Sequence, residues 1–253
     1  SLLDSHSQIL QFPGVLLANN LEKIINSKSN KEMATNFVKE YPHFFNSKIH
    51  KLERWNRLGK NKNQSFTVNK KKFIESFLFF SKDKELNKKD ILINFHKAYA
   101  KARNIDCSKK KILFIHTHLL SLTKTFIKIF DLKNFEFVHT IRHPLSSISS
   151  PIKTWLNYKT GSAFFPKDLF FHLDLALKCI NDLKKINKVH VFQLEKLHTQ
   201  NIKMMKVFCK KFKIKYEKNL IKSTKNGLTW WGDSVSKKWT SGVNKKFAIN
   251  IDE

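Results

Sequence analysis

Cysteine is scarce in this chain: Cys107, Cys179 and Cys209 stand far apart, with no CxxC spacing. An odd, dispersed set excludes a disulfide framework and a Cys-based zinc site. It fits buried or free thiols in a reducing compartment, so a cytoplasmic location is expected. Long apolar runs are missing too. The longest, at 74–80 and 169–177, are broken by polar residues well short of the roughly 20 apolar positions a spanning helix needs, so no transmembrane segment is expected. Acidic residues are few, 20 against 48 Lys plus Arg, for a net charge of +28. Arginine is rarer still: only Arg54, Arg57, Arg103 and Arg142, beside 44 lysines.

What is present suits a folded domain. The 253 residues are 41% apolar and 13% aromatic, which rules out a disordered chain and provides for a core without staples. The basic charge has two readings. Lys, Asn, Ile and Phe share A/T-rich codons, so 44 Lys, 22 Asn and 23 Phe fit compositional drift spread over solvated faces. The functional reading is attraction to polyanions: nucleic acid, sulfated or phosphorylated ligands, or anionic lipid. The lysine runs 70–72, 109–111 and 210–211 are short and dispersed, as solvated element ends are, rather than gathered into a nucleic-acid arm.

Residues 1–6 read as the inside of a helix without a preceding cap. From 15 to about 105 the pattern is mostly helical. The best case is 90–102, where Leu92, Phe95, Tyr99 and Ala102 recur at helical spacing. Residues 56–69 are polar and contain Gly59, which predicts a loop; 73–80 is apolar and fits a buried helix or a strand, with helix preferred. From 111 the character changes. Short apolar runs at 111–117, 135–141 and 189–194 read as buried strands. Helical patterns at 122–131, 145–158, 168–186 and 195–212 separate and follow them. Strands alternating with helices predict an α/β fold with a mainly parallel sheet. Ligands of such sheets sit beyond the carboxyl ends of the strands, which directs attention to His118, to 142–150 and to Glu195.

Four constellations bear chemistry. Arg142 ends a strand, Pro144 opens a helix, and Ser146, Ser147, Ser149 and Ser150 follow. In a chain that prefers Lys so strongly, a retained Arg suggests use of its planar fork, as in bidentate phosphate recognition. The alternative is an ordinary strand–helix connection with a surface Arg. His116 and His118 share one face of a strand end. They read as a zinc pair with His139 or His143, as a general base near neutral pH, or as hydrogen-bonded structural histidines. Glu195 follows a strand, where it either orients a neighbour or favours the helix start. The segment 226–242, with Trp230, Trp231, Trp239 and interspersed Lys, either stacks on a planar ligand or packs as a C-terminal flap.

In order, these pieces resemble the cytosolic-type sulfotransferase family. Thr117-His118-Leu119 is similar to that family's strand ending in Lys-Thr-His, with His116 where Lys is usual. Arg142, followed by Ser150, resembles its 3′-phosphate-binding motif. Leu194-Glu195-Lys196-Leu197 resembles its Glu-Asp-Leu, and residues 2–8 look like the end of the helix after its first phosphate loop. The resemblance covers most of the chain, best over 111–212. It implies one domain over 1–253, an α/β, P-loop-like three-layer fold with a mainly parallel sheet flanked by helices. The 5′-phosphosulfate loop and the central strand leading into it are then expected upstream of residue 1. It further implies 3′-phosphoadenosine 5′-phosphosulfate as donor, no metal, His118 as general base, and Arg142 and Ser150 on the 3′-phosphate. Lys237, Lys238 and Gly242 loosely match the family's C-terminal Arg-Lys-Gly loop and are carried over as donor-binding. The partner is a small-molecule or carbohydrate acceptor, with no specific nucleic acid. Two rivals stand beside this reading. One is a P-loop-type kinase or transferase, which needs a Gly-rich turn ending in Lys-Ser/Thr. The other is a non-enzymatic polyanion-binding protein.

Overall fold

Helical spacing of aromatic residues organises the first half of the molecule. In the computed structural model, which describes residues 1–51, 53–82, 86–117, 120–130, 135–143 and 189–232 with scattered positions beyond 173, five helices fall between 18 and 102. They are α1 (Ala18–Ile25), α2 (Asn30–Glu40), α3 (Pro42–Phe45), α4 (Lys70–Phe80) and α5 (Lys88–Ala102). Three carry the expected N-terminal chemistry. The side chains of Ser29, Asn69 and Asn87 accept hydrogen bonds from the backbone N–H three residues on, satisfying donors the helix itself cannot. Their buried faces meet around Phe37, whose ring centroid lies 4.4 Å from Phe95 and 5.4 Å from Phe73. Tyr41 and Tyr99 are buried with their hydroxyls satisfied: Tyr41 donates to Leu17 O at 3.1 Å and Tyr99 to Phe44 O at 2.7 Å. The helices expected over 73–80 and 90–102, and the loop at 56–69, are all found.

The strands come next, and they pair in twos. β1 (Ile9–Gln11) runs parallel to β2 (Ile112–Phe114), with Ile9 opposite Ile112. After α6 (Leu120–Phe130), β3 (Phe137–Ile141) runs parallel to β4 (Val189–Gln193), with Phe137 opposite Val189. Helices α7 (Leu194–Thr199) and α8 (Asn201–Lys211) follow β4. The chain then forms a hairpin of β5 (Thr224–Lys225) and β6 (Leu228–Thr229). Its turn is Asn226-Gly227, with φ of 51° and 82°, the positive pair that a two-residue hairpin of matching twist requires.

The three strands expected at 111–117, 135–141 and 189–194 are present, within a mixed α/β architecture of short parallel and antiparallel sheets. A single large parallel sheet is not formed among the described residues: β2 and β3 are not paired, and both line one cavity. Other expectations are corrected. Residues 1–8 are turns, not helix, because Asp4 Oδ2 accepts from Gly227 N and from Thr224 Oγ1, drawing the segment onto the hairpin. β1 carried no alternating pattern and was not anticipated. The single helix expected over 195–212 is two. The Thr199 hydroxyl and the Asn201 amide bond back to the carbonyls of Glu195 and Leu197, and Gln200 leaves helical geometry between them. The helix expected at 145–158 lies outside the described residues, and the six positions described within 168–186 are helical.

Two cores result. The larger gathers the apolar residues of α1–α6 with Phe12 and Trp55. The smaller joins Leu3, Ile9 and Phe192 to Met205, Phe208 and Cys209 of α8. Cys107 and Cys209 are free thiols, while Cys179 lies outside the described residues. Among the described residues, no helix is long and apolar enough to cross a membrane.

Candidate functional site

The carboxyl ends of β1 and β2 open into one cavity of about 1160 Å³. Residues 12–15, just after β1, and 115–117, just after β2, form part of its wall; 135–140, leading into and along β3, form another. In an open parallel sheet this is where ligands are received, because side chains and loops diverge there. The strand ends are tied together: Leu16 N donates to His116 O at 3.3 Å, and Thr117 Oγ1 lies 3.2 Å from Thr123 Oγ1 of α6.

The third wall comes from the helical half and the hairpin. Lys225 is buried there. Its Nζ donates to Pro13 O at 2.8 Å, lies 3.4 Å from Glu53 Oε2, and sits 4.6 Å and 5.0 Å from the ring centroids of Trp55 and Trp230. Burial pushes the lysine pKa down. Burial alone would raise Glu53, but the Lys225 ammonium and the Trp55 indole N–H, donating at 2.9 Å, outweigh it and hold the carboxyl below its usual range. His43, in the same wall, is held at about 4 by burial and then by His50, so it is a neutral imidazole at pH 7. No sequence signal singled out these residues. Their spacing matches no motif, and Lys225 is one lysine among 44.

The sequence-predicted residues are distributed as follows. His118, Ser150, Lys237 and Lys238 lie outside the described residues. Arg142 stands immediately beyond β3, half-buried. Beside it, Glu195 of α7 accepts the backbone N–H of His143 at 2.8 Å, and this bond, reinforced by the charge of Arg142, lowers the Glu195 pKa. Glu195, in the first turn of α7, thereby ties down the backbone of the residue after Arg142; its place after a strand had left both a neighbour-orienting and a helix-start role open. His198, one turn along α7, is lowered by burial, countered by Glu195 and assisted by Arg142, which places the four groups in one neighbourhood. Arg142 is not itself a lining residue of the cavity; the β3 wall ends at Thr140. Gly242 has φ of +74°, and a Cβ there would stand 2.6 Å from Ile221 O. Its backbone packs on the turn before β5, a close approach that only glycine allows.

Trp230 and Trp231, just after β6, pack as a flap on the helical half. The indole N–H of Trp230 donates to Glu53 O and that of Trp231 to Gly59 O, at 2.8 Å and 2.7 Å. Among the described residues, no group of His, Cys, Asp and Glu is arranged to hold a metal ion. The site offers an arginine fork at one strand end, a carboxylate fixing its backbone, and a cavity open to solvent at two others. No family model, curated protein or solved structure matches the chain.

Proposed function

We propose that the chain forms a sulfotransferase domain that moves a sulfuryl group from 3′-phosphoadenosine 5′-phosphosulfate to a hydroxyl or amine acceptor. The observation that carries the reading is the pair of half-sheets. Two parallel pairs, β1–β2 and β3–β4, leave the flanks of β2 and β3 on one cavity, and Arg142 stands just past the end of β3. A fifth, parallel strand between β2 and β3 would complete a P-loop-like sheet and fill part of that cavity. It would also satisfy strand edges that otherwise leave backbone groups without ladder partners.

In this reading Arg142, with Ser150, holds the 3′-phosphate, and Glu195 fixes the backbone from which Arg142 projects. Lys237, Lys238 and Gly242 close over the donor. His118 takes the acceptor's proton as the acceptor oxygen or nitrogen attacks sulfur in line, and adenosine 3′,5′-bisphosphate departs. Positioning and stabilisation of spread anionic charge do most of the work. The acceptor, a small molecule or carbohydrate, enters through the cavity wall formed by the helical half.

The test is thermal unfolding with adenosine 3′,5′-bisphosphate at about 0.3 M salt, which screens loose charge attraction. Ligand at about 100 times its Kd should stabilise the parent by about 2.7 kcal/mol. Arg142→Ala should lose most of that gain with its ligand-free stability intact. Equal stabilisation of both proteins would remove Arg142 from the donor site, and no shift in the parent would remove donor binding from this chain.

A further inference from the structure

Two of the chain's four arginines, Arg54 and Arg57, lie in one loop whose side chains converge on the C-terminal flap. Arg54 Cζ is 4.2 Å from the ring centroid of Trp239, Lys62 Nζ is 4.9 Å from it, and Arg57 Cζ is 5.9 Å from it. Lys62 also stands 5.0 Å from the ring of Trp231. The Trp231 carbonyl accepts from Arg54 Nη1 at 3.3 Å, and its indole donates to Gly59 O at 2.7 Å, so loop and flap are fastened. Residues 51–62 include five cations (Lys51, Arg54, Arg57, Lys60, Lys62) and one carboxylate, Glu53, which is turned toward Lys225 and Trp55; Arg54, Arg57 and Lys62 are the three that stand around Trp239.

Like charges gathered this closely repel one another. Indole faces offset part of that repulsion, and an anion bound by Arg57 and Lys62 would lower it further. The loop holds the cations there against its own backbone preference, since Arg54 and Lys62 adopt φ of 53° and 58°, a region L-residues with long side chains avoid. Arg57 and Lys62 are exposed, and among the described residues neither is paired with a carboxylate.

We infer that the loop 51–62, braced by Trp231 and Trp239, is a binding site for an anionic polysaccharide, its sulfate or carboxylate groups taken by Arg57 and Lys62. Two observations choose this partner. The Trp239 ring already carries the protein's own cations, which leaves it unavailable as a stacking platform for bases. Among the described residues of this loop and the flap, none is a large exposed apolar side chain, so they offer a protein partner no apolar anchor. A hydroxylated, charge-dense sugar chain needs neither. The inference does not use Arg142; because Trp239 stands between Lys238 and Gly242, which the proposed function puts at the donor, donor binding is read alongside.

The experiment measures binding of the whole chain to heparin, a sulfated polysaccharide, at several salt concentrations. The double variant Arg57→Gln/Lys62→Asn is expected to bind about tenfold more weakly at about 0.15 M salt, with a salt dependence shallower by about two counterions. Asn is chosen because it tolerates the left-handed backbone at 62. Trp239→Leu keeps the net charge but unmakes the cluster, and it too should weaken binding. Lys101→Gln/Lys211→Gln, an equal loss of charge elsewhere, should bind as the parent does. An equal fall in that control would overturn the site in favour of diffuse attraction. Equally tight binding of an oligothymidylate of matched charge, with the same loss in the variant, would overturn the choice of polysaccharide. Loss of the adenosine bisphosphate shift in Arg57→Gln/Lys62→Asn would return the cluster to the donor site.

Discussion

The helical half and the strand half of this molecule are built to different degrees of closure. Residues 18–102 bury an aromatic assembly in which Phe37, Phe73, Phe77 and Phe95 stack on one another and leave almost no surface. Three of its helices begin on a capping side chain, whereas α7 and α8 have none. The strand half holds a smaller core, and β2 and β3 remain side by side with a cavity. A helix satisfies its own backbone and needs only its apolar face covered. A strand needs a neighbour on each edge, so a sheet is finished only when every position across it is filled.

The largest test of that contrast is a pair of truncations. Phe37→Ala should cost about 5 kcal/mol and Phe208→Ala about 3 kcal/mol in denaturant unfolding. Both rings are buried, but Phe208 already lines the cavity and has fewer contacts to lose. Equal costs would mean that the strand half is as tightly packed as the helical one.

A smaller effect comes from His96, buried against Phe12 with ring centroids 4.1 Å apart. Its Nδ1 lies 2.8 Å from Leu92 O, and Nε2 is buried without a partner. Burial lowers its pKa from 6.5 to about 4. Between those values the unfolded chain binds more protons than the folded one. The stability tied to neutral His96 is therefore full above pH 6.5 and is lost as pH falls toward 4, a span of about 3 kcal/mol. His96→Leu should flatten that part of the pH–stability curve. A curve of unchanged steepness would assign the acid sensitivity to other groups.

The smallest is a cap. Asn87→Ala removes the side-chain acceptor of Asp90 N and should cost about 1 kcal/mol. Hydrogen exchange should locate the loss in α5, and a loss spread over both halves would show that they unfold as one.

Legibility followed the same division. The 3.6-residue recurrence of Leu92, Phe95 and Tyr99 and the apolar runs of β2, β3 and β4 are local patterns, and each was readable. β1 was not, because Ile9-Leu10 is interrupted at once by Gln11, whereas the equally short β2 lies in the unbroken apolar run Ile112-Leu113-Phe114-Ile115. Arg142 and Glu195 were legible as candidates through position after a strand and, for Arg142, through the rarity of arginine. The same rarity marked Arg54 and Arg57, which no motif accompanied. Lys225, Glu53 and His43 gave no signal: they come from three separate stretches, and only packing makes them one wall.

Local pattern was enough to specify α4, α5 and α6 and the strands β2, β3 and β4, because periodicity and apolar runs act over a few neighbouring residues. The tertiary structure alone decided that residues 1–8 turn onto the hairpin rather than coil, and that Lys225 is buried between two indoles beside Glu53. It also decided that the loop 51–62 gathers its cations on Trp239. Those outcomes depend on contacts between residues roughly 170 to 220 positions apart, whose energies no local pattern encodes.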